Sequence, residues 1–139
     1  PQSQIYELLK KLSGANRVYR VAGGVHGCAV CDNTGILSFV EDIGRHNAAD
    51  IIGGHMLLNK IDGAGKQLYC TGRLTSEIVV KAARMKISTL LSRSGITRLG
   101  LEIAQELNIT LIARAKGTHF LVYHGHDTIL YEPPSQDPL

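Results

Sequence analysis

No apolar run in this 139-residue chain is long enough to cross a bilayer, and no signal-peptide pattern opens it. Those absences exclude a membrane-spanning helix and lead us to expect a cytoplasmic protein without a membrane partner. Cysteine is scarce and odd in number, with three residues, which argues against a secreted disulfide framework and suits a reducing compartment. Excess charge is also missing: a net +3 is too mild to imply nucleic acid. There is no G-x-x-x-x-G-K-[ST] loop and no G-x-G-x-x-G after a strand, so ordinary nucleotide-hydrolase and dinucleotide-binding readings fail. No repeat, linker or low-complexity segment interrupts the chain before its proline-rich end. We therefore expect one α/β domain over residues 1–132 and a loose tail over 133–139.

What is present is a regular alternation of short elements. Ile5, Leu8, Leu9 and Leu12 sit at helical spacing and predict an opening helix stopped at Gly14. Residues 25–31 and 36–40 are apolar segments joined by Asp32-Asn33-Thr34-Gly35, a β-hairpin whose Asn and Gly tolerate positive φ. A helix through about residue 60 follows Glu41 and Asp42. Strands are then expected over 67–70, 89–91, 110–113 and 120–123, with helices over 76–86 and 97–107. A hairpin followed by βαβαβ implies a three-layer αβα domain with a mixed sheet of five to six strands.

Polar residues concentrate where strands lead into helices: EDIGRHNAAD at 41–50, TGRLTSE at 71–77 and SRSGITR at 92–98. Each loop joins Gly to Arg, and the last two add Ser or Thr. A helix start exposes unpaired N–H groups, Gly lets a backbone approach closely, and Arg offers a planar fork, so such loops suit phosphate. Ser76 and Thr97 can equally be plain helix caps. Three arginine-bearing junctions on one sheet edge favour a phosphorylated or nucleotide ligand. His46 and Asp42 form a candidate acid–base pair, although Asp42 and Glu41 can instead pair with Arg45 or cap the helix. His124 and His126 lack an obvious third metal ligand.

The stretch GVHGCAVCDN at 24–33 holds a Cys-x-x-Cys just after a histidine. Residues three apart on a strand point to opposite faces, which is poor geometry for a dithiol or a shared metal. Cys28 and Cys31 are therefore read as small strand residues, and Cys70 as a buried small hydrophobe. A deaminase-like or thiol-dependent enzyme using Cys28 or Cys31 stays as the alternative.

GGVH, EDIGRHNAAD, TGRLTSE and SRSGIT, in this order, resemble the formate dehydrogenase accessory protein family, FdhD/NarQ, over residues 21–123. The resemblance implies a cytidine-deaminase-like fold, a homodimer, and a sulfurtransferase role. A persulfide sulfur would pass from a cysteine desulfurase to the bis-molybdopterin guanine dinucleotide cofactor needed by formate dehydrogenase, and GDP would mimic the cofactor's end. It implies that this chain corresponds to the C-terminal, cofactor-binding part. The family's sulfur-bearing Cys-x-x-Cys precedes GGVH and is expected upstream of Pro1. Zinc is not expected, since the second deaminase motif, P-C-x-x-C, has no counterpart near Ser76. Carried over residue by residue, the ligand site is His26, Asp42, Arg45, His46, Arg73, Ser76, Arg93 and Ser94. The basic turn Arg114, Ala115, Lys116, Gly117, Thr118 and His119 completes it. That turn departs from the family pattern, with His119 where Arg is common and Arg114 where an aromatic is common. A chaperone that binds the cofactor without chemistry is the second alternative.

Overall fold

The computed structural model describes residues 1–15, 26–42, 44–116 and 119–129, the side chains of 13–15, 45 and 46 excepted. Strands β1 (His26–Asp32) and β2 (Gly35–Asp42) form the expected hairpin, in a register that places His26 opposite Asp42. Positive φ falls on Gly35, at 137°, and not on Asn33. The turn is held instead by Asp32, whose carboxylate accepts from the Thr34 hydroxyl and from the amides of Thr34 (2.8 Å) and Gly35 (3.2 Å). These bonds, the Thr34 hydroxyl first, hold the Asp32 carboxyl below its usual range.

The remaining strands are β3 (Gln67–Cys70), β4 (Thr89–Ser92), β5 (Thr110–Lys116) and β6 (His119–His124). All six make one mixed sheet in the order β2-β1-β3-β4-β5-β6, with β3, β4 and β5 parallel. Strand β1 runs antiparallel to both β2 and β3, and β6 antiparallel to β5. One end of the sheet therefore collects the carboxyl ends of β2 to β5 together with the starts of β1 and β6. Every strand expected from the sequence is present. The one shift of consequence is that Arg114 and Lys116, expected in a turn, are strand residues at a bulge. Arg114 takes a left-handed φ of 52° there, and the pairing slips between Ala113 and Lys116.

Helices α1 (Gln2–Ala15), α2 (Arg45–Leu58), α3 (Ser76–Arg84) and α4 (Arg98–Leu107) make the outer layers. Two buried clusters divide along the strand alternation. Cys28, Val30, Leu68, Cys70, Leu90 and Leu111 face Ala48, Ile52, Ile78, Val79 and Ala104 of α2, α3 and α4. Ala29, Cys31, Tyr69, Leu91 and Ile112 face Leu8, Leu9 and Leu12 of α1. Each large apolar side chain buried this way contributes about 1.5–3 kcal/mol relative to exposure. Helix α3 ends at Arg84, ahead of the expected stop, because Lys86 turns the chain with a left-handed φ of 62°. Asn108 ends α4 in the same conformation, at φ 53°. Among the described residues, no helix is long and apolar enough to cross a membrane.

Burial makes the core alkali-sensitive. It pushes the Cys31 thiol up to about 12 from 9.0, with the Asp32 carboxylate adding to it, and the Tyr69 hydroxyl up to about 12 from 10.0. Both groups ionise first in the unfolded chain, so their contribution is intact below about pH 9. It is lost as pH rises toward 12, at about 1.4 kcal/mol per pH unit for each group ionised only when unfolded. Urea midpoints should be level up to pH 8.5 and fall steeply by pH 10.5. Cys31→Ala should flatten the early part of that fall.

Candidate functional site

The topology brings the three sequence-predicted loops to one sheet edge. Thr71–Thr75 links β3 to α3, residues 93–97 link β4 to α4, and Gly44 precedes α2. His26 opens β1 beside them, half-buried, and His119 opens β6 opposite Lys116. Gly117 and Thr118 lie outside the described residues, as do the side chains of Arg45 and His46.

Backbone and hydroxyl hydrogen bonds tie the β3–α3 and β4–α4 loops, with Gly27 and Arg114, into one row. Thr71 and Gly27 bond reciprocally: the Thr71 amide donates to the Gly27 carbonyl (3.0 Å) and the Gly27 amide to Thr71 Oγ1 (2.9 Å). Ser92 is wholly buried, and its hydroxyl donates to the Gly72 carbonyl (2.6 Å) while accepting from the Ser94 amide (3.0 Å). The Ser94 carbonyl accepts from the Arg114 amide (2.9 Å), and the Leu74 amide donates to the Gly95 carbonyl (3.0 Å). Arg73 and Arg93 are thus each flanked on both sides by pinned residues, Gly72 and Leu74 in one case, Ser92 and Ser94 in the other. Arg73 and Arg114 are exposed, and Arg93 half-buried. The Arg114 guanidinium lies over Gly95, with one terminal nitrogen 2.9 Å from where a Cβ would stand, so a larger residue there would push the guanidinium aside.

The helix starts are less equal than the sequence suggests. Thr75, not Ser76, caps α3, its hydroxyl accepting from the Ile78 amide (3.4 Å), and Thr97 caps α4 by accepting from the Gly100 amide (3.1 Å). Ser76 is the first helical residue and half-buried. Glu77 in the first turn of α3 already opposes that helix's positive end, whereas the first turns of α2 and α4 hold no acidic residue. Helix α2 begins at Gly44 with no side-chain cap. The Asp42 carboxylate accepts from the Gly44 amide (2.9 Å), which fixes the entry into α2. Ala115 faces the α1 side of the core, 2% exposed, and offers this edge only its backbone. The positive charge at this edge therefore comes from the arginines and loop amides more than from the end of α3.

The thiols are placed differently. Cys28 and Cys31 face opposite sides of the sheet, as their spacing predicts, and both are buried. Sequence reasoning missed that Cys28 pairs in register with Cys70, with the sulfurs 3.3 Å apart. The hydrogen bond to Cys70, with burial, pushes the Cys28 thiol well up. Neither the Cys28 nor the Cys31 environment favours the reactive thiolate. Among the described residues, no group of three or more His, Cys, Asp or Glu side chains is placed to hold a metal ion. His124 instead approaches Asn108 Oδ1 at 3.4 Å. A cavity of about 350 Å³ lies at the opposite end of the sheet, lined by Ile5, Leu8, Asp32, Gln67, Thr89 and Ile129 among others. No residue predicted for the ligand site lines it.

A mixed six-stranded sheet between helical layers, with arginine-bearing loops beyond the parallel strand ends, defines the class of this chain as an α/β protein. Its fold is shared with a dCMP deaminase of cyanophage S-TIM5 (TM-score 0.54, 16% identity, 81% of this chain and 95% of that one). Residues 1–130 match the FdhD/NarQ family, and the chain belongs to that family. It is 39% identical over 122 residues to the sulfur carrier protein FdhD of Bacillus pumilus, covering 88% of this chain and 47% of that protein. The Bacillus subtilis protein of the same name is 40% identical over 116 residues, covering 84% and 44%. A crystal structure assigned as a formate dehydrogenase accessory protein, from Desulfotalea psychrophila, superposes with a TM-score of 0.88 at 32% identity, covering 94% of this chain and 56% of that one. The chain thus spans about half the length of the relatives it matches. The family match includes the opening helix, ahead of the motifs that carry the resemblance in sequence.

Proposed function

We propose that this chain is the cofactor-binding part of a sulfur carrier serving formate dehydrogenase. The substrate is bis-molybdopterin guanine dinucleotide, whose nucleotide phosphates lie along the edge formed by Arg73, Arg93 and Arg114. His26, Lys116 and His119 border that edge, and Arg45, His46, Gly117 and Thr118 belong to the same reading through their family motifs. The observation that carries it is the row of hydrogen-bonded loops. With the backbone on both sides of Arg73 and Arg93 already fixed, only side chains remain to be ordered when a phosphate binds, which lowers the cost of binding.

The sulfur itself comes, in this reading, as a persulfide from a cysteine desulfurase, and the thiol that bears it lies elsewhere than Cys28, Cys31 and Cys70. All three are buried, and a carrier needs an accessible thiolate. The edge would hold the substrate while sulfur arrives. Pairing of two copies belongs to the same reading and draws on α2, where Leu57 and Leu58 are 81% and 84% exposed and Ile51 adds to the apolar surface. A cytoplasmic location follows from the same role.

The test is formate dehydrogenase activity in cells lacking their own carrier, complemented with the whole reading frame that contains this chain. Arg73→Ala combined with Arg114→Ala should lower the restored activity at least about tenfold, the scale of lost charge-assisted hydrogen bonds. Cys31→Ala should leave it within about twofold, as expected for a residue that only fills the core. Loss of activity in a folded Cys31→Ala or Cys28→Ala protein, with the arginine variant active, would support the thiol-enzyme reading instead.

A further inference from the structure

We infer that Ser92 is a positioning residue of the anion-binding edge, and that it sets the edge for two linked phosphates in preference to one. The inference rests on the reading of this edge as a nucleotide-phosphate site and adds to it a residue that contacts no ligand. Ser92 ends β4 with no exposed surface, one of two buried polar residues among those described. Its hydroxyl is used twice, donating to the Gly72 carbonyl and accepting from the Ser94 amide. A buried hydroxyl committed in both directions costs most to remove, because a carbonyl on one loop and an amide on the next then lose their partner together.

The location of those two bonds gives them their consequence. Gly72 precedes Arg73, and Ser94 follows Arg93, so one hydroxyl fixes the two arginine loops relative to each other across neighbouring parallel strands. The effect extends one strand further, since the Ser94 carbonyl accepts from the Arg114 amide. Arg114 sits in a left-handed conformation and rests on Gly95, next to Ser94 in the same loop. Neighbouring strands lie about 4.8 Å apart, so each of the two loops can meet one phosphate of a linked pair. With the Ser92 hydroxyl in place, a diphosphate meets two cationic loops at fixed spacing. Without it, each loop still carries its arginine, and a monophosphate still finds one of them.

The experiment measures GDP and GMP affinity by calorimetry for the intact chain and for Ser92→Ala and Ser92→Cys, with melting curves showing that each is folded. Cysteine fills the site but hydrogen-bonds weakly, so it carries the test if the alanine protein does not fold. Ser92→Ala should weaken GDP at least about tenfold and GMP less than about twofold, with Ser92→Cys in between. A folded variant that keeps the GDP-to-GMP preference, or that loses both ligands by the same factor, would overturn the positioning role while leaving the site itself standing. If the unaltered chain binds neither nucleotide, the underlying reading of the edge fails first.

Discussion

Gly63→Ala should lower the melting temperature by about 10 °C or more, because the added methyl group runs into backbone. Gly63 lies buried in the connection between α2 and β3, where the chain passes against the end of α3. A Cβ built there collides with the carbonyl oxygen of Met85 and comes within 2.8 Å of the Lys86 carbonyl carbon and 2.9 Å of its oxygen. All three obstacles are backbone atoms, so no side chain can swing aside. The obstructing segment is itself constrained, since Lys86 already adopts φ 62° and the Ile87 amide bonds to the Ala82 carbonyl (3.0 Å). Overpacking against such a partner costs about 3 kcal/mol or more, a large share of the 5–15 kcal/mol that holds a typical domain together. For a chain of this size each kcal/mol moves the melting temperature by about 2–4 °C or somewhat more. Thermal unfolding followed by far-ultraviolet circular dichroism measures the shift. An unchanged curve would show that the connection between α2 and β3 does not run where the structure has it.

Arg73→Ala should weaken GDP binding about tenfold, the loss expected when one charge-assisted hydrogen bond to phosphate disappears. Arg73 is exposed and has Gly72 and Leu74 pinned on either side. Removing its side chain should therefore alter binding while leaving the melting curve in place. Arg73→Lys should recover only part of the affinity, because an ammonium supplies charge without the planar fork. Affinity should also fall as salt is raised, and the alanine variant should show a shallower fall. Calorimetric titration at two salt concentrations checks both points. Equal GDP affinity in the arginine and alanine proteins would remove Arg73 from the site.

Much of this structure was legible in the sequence for identifiable reasons. Short apolar runs bounded by glycine and polar residues located β3, β4 and β5. Strand periodicity correctly separated Cys28 from Cys31, because neighbouring side chains alternate faces whatever the tertiary fold. The alternation of strands and helices also implied that TGRLTSE and SRSGITR share an edge. Pairing between distant residues left no such trace. Nothing local tells Cys28 that Cys70, forty-two residues on, is its partner, since that follows from the order β1-β3 in the sheet. The choice of Thr75 over Ser76 as cap depends on where the loop enters α3, and two adjacent hydroxyls look alike in sequence. Arg114 and Lys116 read as a turn because they match a basic, glycine-containing turn of the family, whereas a left-handed arginine lets the strand continue through a bulge. Ser92 looked like one more polar loop residue. Its importance comes from burial and from two bonds to separate loops, a property of the assembled sheet edge.

Whether an anion binds at this edge is read most directly from the change in backbone amide resonances when GDP is added to the intact chain. Saturable shifts should group at Gly27, Arg73, Ser94, Gly95 and Arg114, with Asp32, Gln67 and Thr89 at the other end of the sheet unmoved. Shifts grouped instead around the cavity beneath α1, or no shifts with the protein folded and GDP in excess, would contradict binding at the arginine edge.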